Sequence, residues 1–247
     1  MVSLPVHLVE SLDGVATGSL VEVSGDEAHH AVAVRRLREG EQVVLTDGRG
    51  ASATGTVAAT GKRLLTVTVA SVSHEPRPEP AITVVQAIPK GDRGELAVEV
   101  LTEVGVDRIV PWGASRSVAV WKGERATRSH AKWQATAREA AKQSRRAWLP
   151  TVTPLASTAD LAAVVAEADL AVVLHEDGSV PLSAIDVPPA GRLVVVVGPE
   201  GGVTPEELEL LADAGAHVVR LGAEVLRTST AGVVAVAALL TRTGRWA

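Results

Sequence analysis

The last two-thirds of the chain alternate short apolar runs with amphipathic stretches. The clearest run, residues 193–197, contains one leucine and four valines and predicts a strand buried on both faces. It ends at Gly-Pro-Glu-Gly-Gly, residues 198–202, which cannot continue a strand. Thr204 then predicts a helix N-cap, and Glu207, three residues later, completes a capping box. From residue 82 onward such strands and helices alternate, which predicts a parallel sheet with flanking helices.

The N-terminal part of the chain has a different pattern, with short alternating strands and close turns. Residues 51–58 and 64–72 are rich in β-branched side chains and are joined by a turn at Gly61. Short strands with close turns are typical of a small β-barrel. Residues 74–80, His-Glu-Pro-Arg-Pro-Glu-Pro, predict a semi-rigid extended linker. We therefore expect one domain at 1–73 and a second at 81–247.

Two loops of the second domain follow strands that are one βαβ unit apart. The first is the glycine-rich loop, and the second, residues 223–228, follows a short strand at 217–221 and leads into a helix predicted to begin, with a cap, near Ser229. Ligands of open parallel sheets bind at the carboxyl ends of strands, so we expect a binding site here. The glycines would let a ligand approach the backbone, although a tight turn without any ligand also explains them. Glu200 favours a neutral or cationic ligand over a phosphate.

Positive charge is concentrated in one segment, although the net charge of the chain is −5. Residues 122–146 hold eight Lys and Arg against two Glu, and a long helix is predicted at 129–146. Gln143 and Arg146 would share one face of that helix. A smaller basic cluster comprises Arg35, Arg36 and Arg38. Both segments are candidates for contact with RNA phosphates, and ordinary solvated surface charge is the alternative.

Composition excludes several classes of site. The chain has no Cys, which rules out disulfides, thiolate zinc sites and cysteine nucleophiles. Its seven His have no metal-ligand spacing, and with no Tyr, no Phe and only five Trp it has almost no aromatic residues for a stacking platform for bases. No signal segment or long apolar run is visible, so we expect a cytoplasmic protein with no metal and no membrane contact.

Two motifs, Gly-Pro-Glu-Gly-Gly at 198–202 and Leu-Gly-x-x-x-Leu-Arg-Thr-x-Thr-Ala at 221–231, resemble the cofactor end of the RsmE family. These are the 16S ribosomal RNA uridine-N3 methyltransferases of the SPOUT superfamily. Residues 29–50, 90–118 and 139–146 are similar to other stretches of the family, so the resemblance covers nearly the whole chain.

The resemblance implies both a fold and an activity. The fold would be a PUA-like β-barrel at 1–73, which binds RNA, followed by a SPOUT α/β domain with a deep trefoil knot. The activity would be methyl transfer from S-adenosylmethionine to N3 of a uridine in 16S ribosomal RNA. Expected partners are that RNA, or the small ribosomal subunit, and a second copy of the chain in a homodimer.

Site residues follow from the resemblance position by position. The candidates for binding S-adenosylmethionine are Leu174, His175, Gly198, Glu200, Gly201, Leu221, Gly222, Leu226 and Thr228. Glu200 would lie near the sulfonium, or would only bond a backbone N–H. Arg227 is the candidate catalytic residue because it could stabilise a uridine anion, and a structural role is the alternative. The RNA-binding candidates are Arg35, Arg36, Arg38, Arg116, Lys142, Gln143, Arg145 and Arg146.

Four departures from the family pattern keep other functions open. Ser229 stands where the family usually has Glu, residues 99–100 are Glu-Val in place of Gln-Lys, Gly94 replaces a larger residue, and Arg35 replaces an apolar one. A non-catalytic RNA-binding ribosome assembly factor is therefore one alternative. A nucleotide-binding α/β enzyme, with phosphate at the glycine-rich loop, is another. The apolar last helix, at 230–240, is expected to be buried in the core or in a subunit interface.

Overall fold

A computed structural model describes residues 4–246, which form two compact units. Unit 1 contains the chain up to Arg77 together with Ala141–Leu149, and unit 2 contains Pro78–Ala140 and the chain from Pro150 onward. The hydrophobic pattern of the sequence gave no sign that residues 141–149 pack with the N-terminal unit.

Unit 1 is built on a five-stranded sheet. Its elements are β1 (Val6–Leu8), β2 (Leu20–Ser24), α1 (Gly25–His29), a π-helical turn (His30–Val34), β3 (Gln42–Thr46), β4 (Ala51–Gly61) and β5 (Leu64–His74). The strand order is β1-β3-β4-β5-β2, with β1 parallel to β3 and the other pairs antiparallel. Alternate residues of β2 and of the first part of β4 are buried, as expected for strands with one face on a core.

Residues 141–149 are held to unit 1 by backbone pairing. The Gly50 N–H donates to the carbonyl of Ala147 over 2.9 Å, and the Leu149 N–H donates to the carbonyl of Gly48 over 2.9 Å. A Cβ at Gly50 would lie 2.6 Å from the Trp148 ring, so glycine is needed there for the close approach.

Unit 2 is a seven-stranded parallel sheet with helices on both faces, which confirms the predicted alternation. The order is β10-β12-β9-β11-β6-β7-β8, and every described pairing is parallel. The first elements are β6 (Ala81–Ala87), α2 (Arg93–Val104), β7 (Arg108–Trp112), α3 (Gly123–Gln143, in this unit up to Ala140), β8 (Thr151–Val152) and α4 (Thr158–Ala166). They are followed by β9 (Leu170–Leu174), β10 (Val180–Pro181), a 3-10 turn (Leu182–Ala184), β11 (Arg192–Val197), α5 (Pro205–Asp213), β12 (His217–Arg220), α6 (Thr228–Leu240) and a 3-10 turn (Gly244–Trp246).

Strand β11 is central to unit 2 because its side chains enter two cores. Leu193, Val195 and Val197 pack with α2, α3 and α6 on one face, and Val194 and Val196 pack with α4 and α5 on the other. All five are buried. The predicted strand at 193–197 is thus confirmed, and the loop that follows it leaves from the middle of the sheet.

The helix predicted at 129–146 is wrong at both ends. Helix α3 runs from Gly123 to Gln143, and Arg145 has a left-handed φ of 57°. The Arg146 N–H donates to the carbonyl of Ala141 over 2.9 Å, a closure typical of helix C-termini. Arg146 therefore does not share a helix face with Gln143. No Gly or Pro marks this end, so the sequence gave no stop signal.

Helix α6 begins at Thr228, and its N-cap Arg227 makes no side-chain capping bond, so the predicted cap is wrong. Its inner residues, Ala235, Val236 and Leu239, are buried in the core. Val234, by contrast, is 42% exposed. The helix is apolar all round, but one side of it is uncovered in the single chain.

Candidate active site

A cleft of about 1630 Å³ opens at the carboxyl ends of the strands of unit 2. Loops that follow β12, β9, β11, β6 and β7 contribute to its walls. This edge is where parallel α/β sheets bind ligands. Pockets that hold one small ligand typically have volumes of about 300–1000 Å³, so the cleft has room for a ligand and for part of a second molecule.

The loop after β11, residues 198–202, is held by close contacts and is called here the braced loop. A Cβ at Gly201 would lie 2.8 Å from the carbonyl oxygen of Arg116 and 2.9 Å from the Arg116 Cβ. A Cβ at Gly198 would lie 2.6 Å from Cγ2 of Val203. The glycines of the braced loop are therefore required by packing within the protein, whether or not a ligand approaches them.

Glu207 fixes the start of α5, directly after the braced loop. The predicted capping box is confirmed, since the Thr204 N–H donates to Glu207 Oε2 over 3.0 Å. Glu207 Oε1 accepts bonds of 2.9 Å from the N–H and the hydroxyl of Ser115 and from the hydroxyl of Thr158. Burial opposes ionisation of this carboxyl, but the donors outweigh burial and lower the pKa of Glu207 below its ordinary value. A buried carboxylate thus ties the start of α5, just after the braced loop, to the loop after β7 and to the start of α4.

Glu200 lies at the mouth of the cleft, in the braced loop. Its side chain is exposed, and Oε1 accepts a hydrogen bond of 3.1 Å from the backbone N–H of Lys90. The backbone contact that the sequence suggested is therefore present. A carboxylate oxygen has more than one lone pair, so this contact leaves Glu200 able to face a cationic ligand as well.

The loop after β12, residues 222–227, is called here the exposed loop because each of its residues is exposed. Val225 is 82% exposed. A Cβ at Gly222 would meet only Oε2 of Glu224, at 3.8 Å. A side chain at Gly222 would therefore extend into open space, in contrast to one at Gly201.

Arg227 ends the exposed loop and starts α6. Its carbonyl accepts the N–H groups of Thr230 and Ala231, each over 2.9 Å. Within residues 4–246, its guanidinium forms no hydrogen bond or ion pair. The Nε2 of the buried Gln86, near the end of β6, donates to the carbonyl of the next residue, Thr228, over 3.1 Å. That bond places Arg227 close to the end of β6, with its charge available to a bound molecule.

The loop after β9 is held over β12. The His175 N–H donates to the carbonyl of Val219 over 2.9 Å, and His175 Nδ1 accepts the N–H of Asp177 over 3.2 Å. A Cβ at Gly178 would lie 2.5 Å from the Val219 carbonyl carbon, so the two segments cross in direct contact. This crossing forms one wall of the cleft.

The structure gathers the residues proposed from the sequence for the cofactor and for catalysis along this cleft. Its lining includes Leu174, His175, Gly198, Glu200, Gly201, Leu221, Gly222, Leu226, Arg227 and Thr228, together with Arg116. Sequence reasoning missed Lys90, Asp92, Arg93, Leu96, Glu176, Asp177, Arg220 and Glu224, which line it as well. The rule that ligands bind at carboxyl ends of strands would have found most of them, because they follow β6, β9 and β12 directly.

Ser229 lies inside the fold, outside the lining of the cleft. It is 3% exposed, and its hydroxyl has no hydrogen-bond partner among the described residues. Oε1 of Gln86 is also buried without a partner in that part of the chain. The Glu that the family usually has at this position is larger than Ser229 and is charged. Inside the fold it would need more space than Ser229 takes up, and it would need hydrogen-bond partners, which Ser229 does not have among the described residues.

The RNA-binding candidates of unit 1 differ in how accessible they are. Arg35, Arg36 and Arg38 are exposed, and so are Gln143 and Arg145. The side chain of Lys142 is only 8% exposed, and its Nζ lies 2.8 Å from Oε1 of Glu27. His7 Nδ1 lies 3.1 Å from the same oxygen. Burial works against the charge of Glu27, but His7 and Lys142 outweigh it and lower its pKa to about 2. Lys142 is thus engaged within unit 1.

Residues 4–246 show neither a metal-binding cluster nor a membrane-spanning helix. That part of the chain contains no group of three or more His, Cys, Asp or Glu placed to bind a metal ion. It also contains no helix that is both long and apolar enough to cross a membrane.

Comparison with known proteins agrees with this organisation. Residues 76–240 match the family described as RNA methyltransferase domain, and residues 23–70 match the family described as RNA methyltransferase PUA domain. A protein of Mycobacterium bovis named Ribosomal RNA small subunit methyltransferase E is 47% identical over 93% of this chain and 89% of its own length. A protein of the same name from Bacillus subtilis is 32% identical over 88% of each chain.

Two solved structures are similar over almost their whole length. A Ribosomal RNA small subunit methyltransferase E from Neisseria gonorrhoeae, bound to S-adenosyl methionine, has a TM-score of 0.87 at 27% identity and covers 99% of this chain and 100% of its own. A methyltransferase from Legionella pneumophila in complex with S-adenosylmethionine has a TM-score of 0.89 at 27% identity and covers 98% and 99%. Together with the matched domains and the relatives, these likenesses show that the chain belongs to the ribosomal RNA small subunit methyltransferase E family.

Proposed function

We propose that this protein transfers a methyl group from S-adenosylmethionine to N3 of a uridine in the 16S ribosomal RNA of the small subunit. The observation that carries the proposal is the cleft at the carboxyl edge of unit 2. Its walls bring together the two sequence motifs of the family, the braced loop and the exposed loop. Two similar structures were solved with S-adenosylmethionine bound. A ribosomal RNA substrate would also place the protein in the cytoplasm.

The residues of the cleft fit such a cofactor. Gly198, Leu221 and Gly222 line the cleft, so their backbone groups are candidates to hold an adenosine. Glu200 supplies a carboxylate at the mouth of the cleft, which suits the positive charge of a sulfonium. S-adenosylmethionine supplies a methyl group that its sulfonium already activates. The task left to the protein is mainly to position the reacting atoms in line.

Arg227 is the side chain that we propose acts on the acceptor. N3 of uracil carries a proton that must pass to solvent water before or during attack, and the resulting anion requires stabilisation until the methyl group is transferred and S-adenosylhomocysteine leaves. The guanidinium of Arg227 is exposed in the cleft and makes no hydrogen bond or ion pair within residues 4–246, so its charge is free for this purpose. A fixed cation beside a developing negative charge is among the largest sources of rate enhancement.

Contact with the rest of the RNA is proposed for Arg116 and for the exposed residues of unit 1. These are Arg35, Arg36, Arg38, Gln143 and Arg145, together with Arg146. Phosphate contacts position a nucleic acid without reading its sequence. Lys142 was also proposed from the sequence, but its ion pair with Glu27 favours a structural role in the free protein.

We propose a homodimer in which α6 contributes to the interface. The uncovered side of α6 carries Val234 and Ala238, both exposed in the single chain. An apolar helix surface of this kind is expected to be buried against another chain.

The trefoil knot implied by the resemblance is proposed as well. Strand β12 lies between β9 and β10, although β9 and β10 are consecutive in the chain. The connection from β9 to β10 crosses the end of β12 at Gly178. The C-terminal segment would therefore pass under a connection made earlier in the chain.

The test is incubation of the purified protein with S-adenosylmethionine and small ribosomal subunits that lack the modification. Digestion of the RNA to nucleosides and mass spectrometry should then reveal 3-methyluridine in 16S ribosomal RNA. The same incubation without S-adenosylmethionine serves as the negative control. Tight RNA binding with no methyl transfer would instead favour the non-catalytic assembly factor.

A further inference from the structure

Most charged residues of the cleft lie toward one of its two ends, and Glu200 and Arg227 lie between them. The strand order β12-β9-β11-β6-β7 spans four strand spacings, about 19 Å. Loops after β12 and β9 bring Glu176, Asp177 and Glu224 to one end, where Arg220 is the opposing cation. Loops after β6 and β7 bring Lys90, Arg93 and Arg116 to the other, where Asp92 is the opposing anion. We call these the acidic end and the basic end.

The two cations that follow β6 have free charges. Lys90 and Arg93 are exposed, and within the described chain neither side chain forms a hydrogen bond or an ion pair. Arg93 is the first residue of α2, where a positive charge opposes the helix dipole. The stability of α2 therefore does not explain why Arg93 is there.

Both basic segments are fixed to the braced loop between the two ends. The Lys90 N–H bonds Glu200 over 3.1 Å, and the backbone of Arg116 packs against Gly201. Leu96, on the first turns of α2, is 45% exposed and lines the same end of the cleft. The basic end thus offers cations and an apolar side chain at defined positions beside the centre of the cleft.

We propose that Lys90 and Arg93 are positioning residues that bind the phosphate of the target nucleotide at the basic end, with its base directed past Leu96 toward the braced loop. This inference rests on the proposed function. S-adenosylmethionine would occupy the acidic end, whose carboxylates suit its cationic groups. Arg227 lies between the two molecules, because the bond from Gln86 to Thr228 holds it near the end of β6.

The experiment compares the double variant Lys90→Ala/Arg93→Ala with the charge-preserving double variant Lys90→Arg/Arg93→Lys. Arg192→Ala is the matched control, because Arg192 is an exposed cation at the opposite edge of the same sheet. Binding to unmodified 16S ribosomal RNA, transcribed in vitro, is measured at several salt concentrations without cofactor. S-adenosylmethionine affinity is measured separately by calorimetry, and KM for the RNA by methyl transfer.

The alanine double variant should bind RNA about tenfold more weakly, and the slope of log affinity against log salt should fall by roughly 0.7, the value for one neutralised single-stranded phosphate. KM should rise in parallel, while S-adenosylmethionine affinity stays within about twofold. The charge-preserving variant and Arg192→Ala should keep the wild-type slope.

An unchanged slope and KM in the alanine double variant would overturn the proposal, and so would a comparable loss of S-adenosylmethionine affinity. Failure of the proposed function has a different signature. In that case the wild-type protein itself would transfer no methyl group, whereas the RNA-binding slopes of the variants would still report on Lys90 and Arg93.

Discussion

The two loops that carry the family motifs lie at the same edge of one sheet, yet they are built differently. The braced loop packs against Arg116 and Val203, and Glu207 anchors the helix that follows it. The exposed loop has six consecutive exposed residues, and a side chain at Gly222 would meet almost nothing. The braced loop is packed against other parts of the protein. The exposed loop presents a surface that only a bound molecule or another chain would cover.

The difference between the loops shows two physical reasons for a glycine in a motif, namely close packing within the protein and close approach of a ligand. Gly201 is needed because the Arg116 backbone is too close for a side chain. Gly222 has no such neighbour, so a requirement for glycine there would come from a ligand. The braced loop is therefore held in place by the protein itself, whereas the residues of the exposed loop remain open to contact by a bound molecule.

The largest effect is expected at the end of the exposed loop. Arg227→Ala should lower kcat about 100-fold, because it removes the cation proposed to stabilise the uridine anion. Arg227→Lys should recover part of the rate, and calorimetry should find S-adenosylmethionine affinity nearly unchanged in both. A kcat within threefold of the wild type in Arg227→Ala would restrict Arg227 to its backbone role at the start of α6.

Substitutions at Gly201 and Gly222 provide the sharpest test of the difference between the braced loop and the exposed loop. Gly201→Val should weaken S-adenosylmethionine binding and also lower the free energy of unfolding by about 1–3 kcal/mol, because its side chain would overlap the Arg116 backbone. Gly222→Val should weaken binding at least about tenfold, or 1.4 kcal/mol, with no loss of stability.

Gly244 provides a control, since a Cβ there would meet nothing within 4 Å and it lies outside the cleft. Gly244→Val should leave cofactor affinity unchanged. If Gly222→Val bound S-adenosylmethionine as tightly as Gly244→Val does, the exposed loop would not approach the cofactor.

Glu207 tests what holds the braced loop. Glu207→Gln would place an amide N–H₂ among donors, which should cost about 1–3 kcal/mol of stability at neutral pH. The pKa of Glu207 is lowered in the folded state, so its stabilisation is complete above the unfolded pKa near 4.5 and is lost as the pH falls through the folded pKa. Denaturant unfolding should show the difference between wild type and variant shrink in that acidic range. A difference that stayed constant down to low pH would mean that the charge of Glu207 does not matter.

The smallest effect is expected for Glu200→Gln. The amide oxygen can still accept the Lys90 N–H, so the loop should keep its shape, and only the charge is lost. An exposed ion pair contributes about 0.2–1 kcal/mol, which predicts a weakening of S-adenosylmethionine binding by up to about fivefold. S-adenosylhomocysteine has no sulfonium and should bind as before. Equal weakening of both ligands would assign Glu200 a role in loop structure alone.

Much of unit 2 could be predicted because its elements are encoded locally. The valine run of β11 and the capping box of Thr204 and Glu207 are short patterns with one physical meaning, and both were found where expected. The end of α3 could not be predicted, since Arg145 adopts a left-handed conformation without a glycine. Packing of residues 141–149 with unit 1 likewise depends on long-range backbone pairing, which leaves no periodic signal.

Candidate site residues could be predicted where they belong to a sequence motif. They were missed where only the order of the strands brings them to the cleft. Residues of the braced and exposed loops stood out from spacing and resemblance. Lys90 and Arg93 did not, because their place in the lining of the cleft appears only when the strand order puts β6 beside β11. The additional partners of Glu207 were also invisible in the sequence, because Ser115 comes from the loop after β7 and Thr158 from the start of α4.

The central claim is that the cleft at the carboxyl edge of unit 2 binds S-adenosylmethionine. Calorimetric titration of the purified protein with S-adenosylmethionine, and in parallel with ATP, tests it most directly. The account predicts saturable binding of S-adenosylmethionine, weakened at least about tenfold by Gly222→Val, and no binding of ATP. Binding of ATP alone, or of S-adenosylmethionine with an affinity that Gly222→Val leaves unchanged, would contradict it.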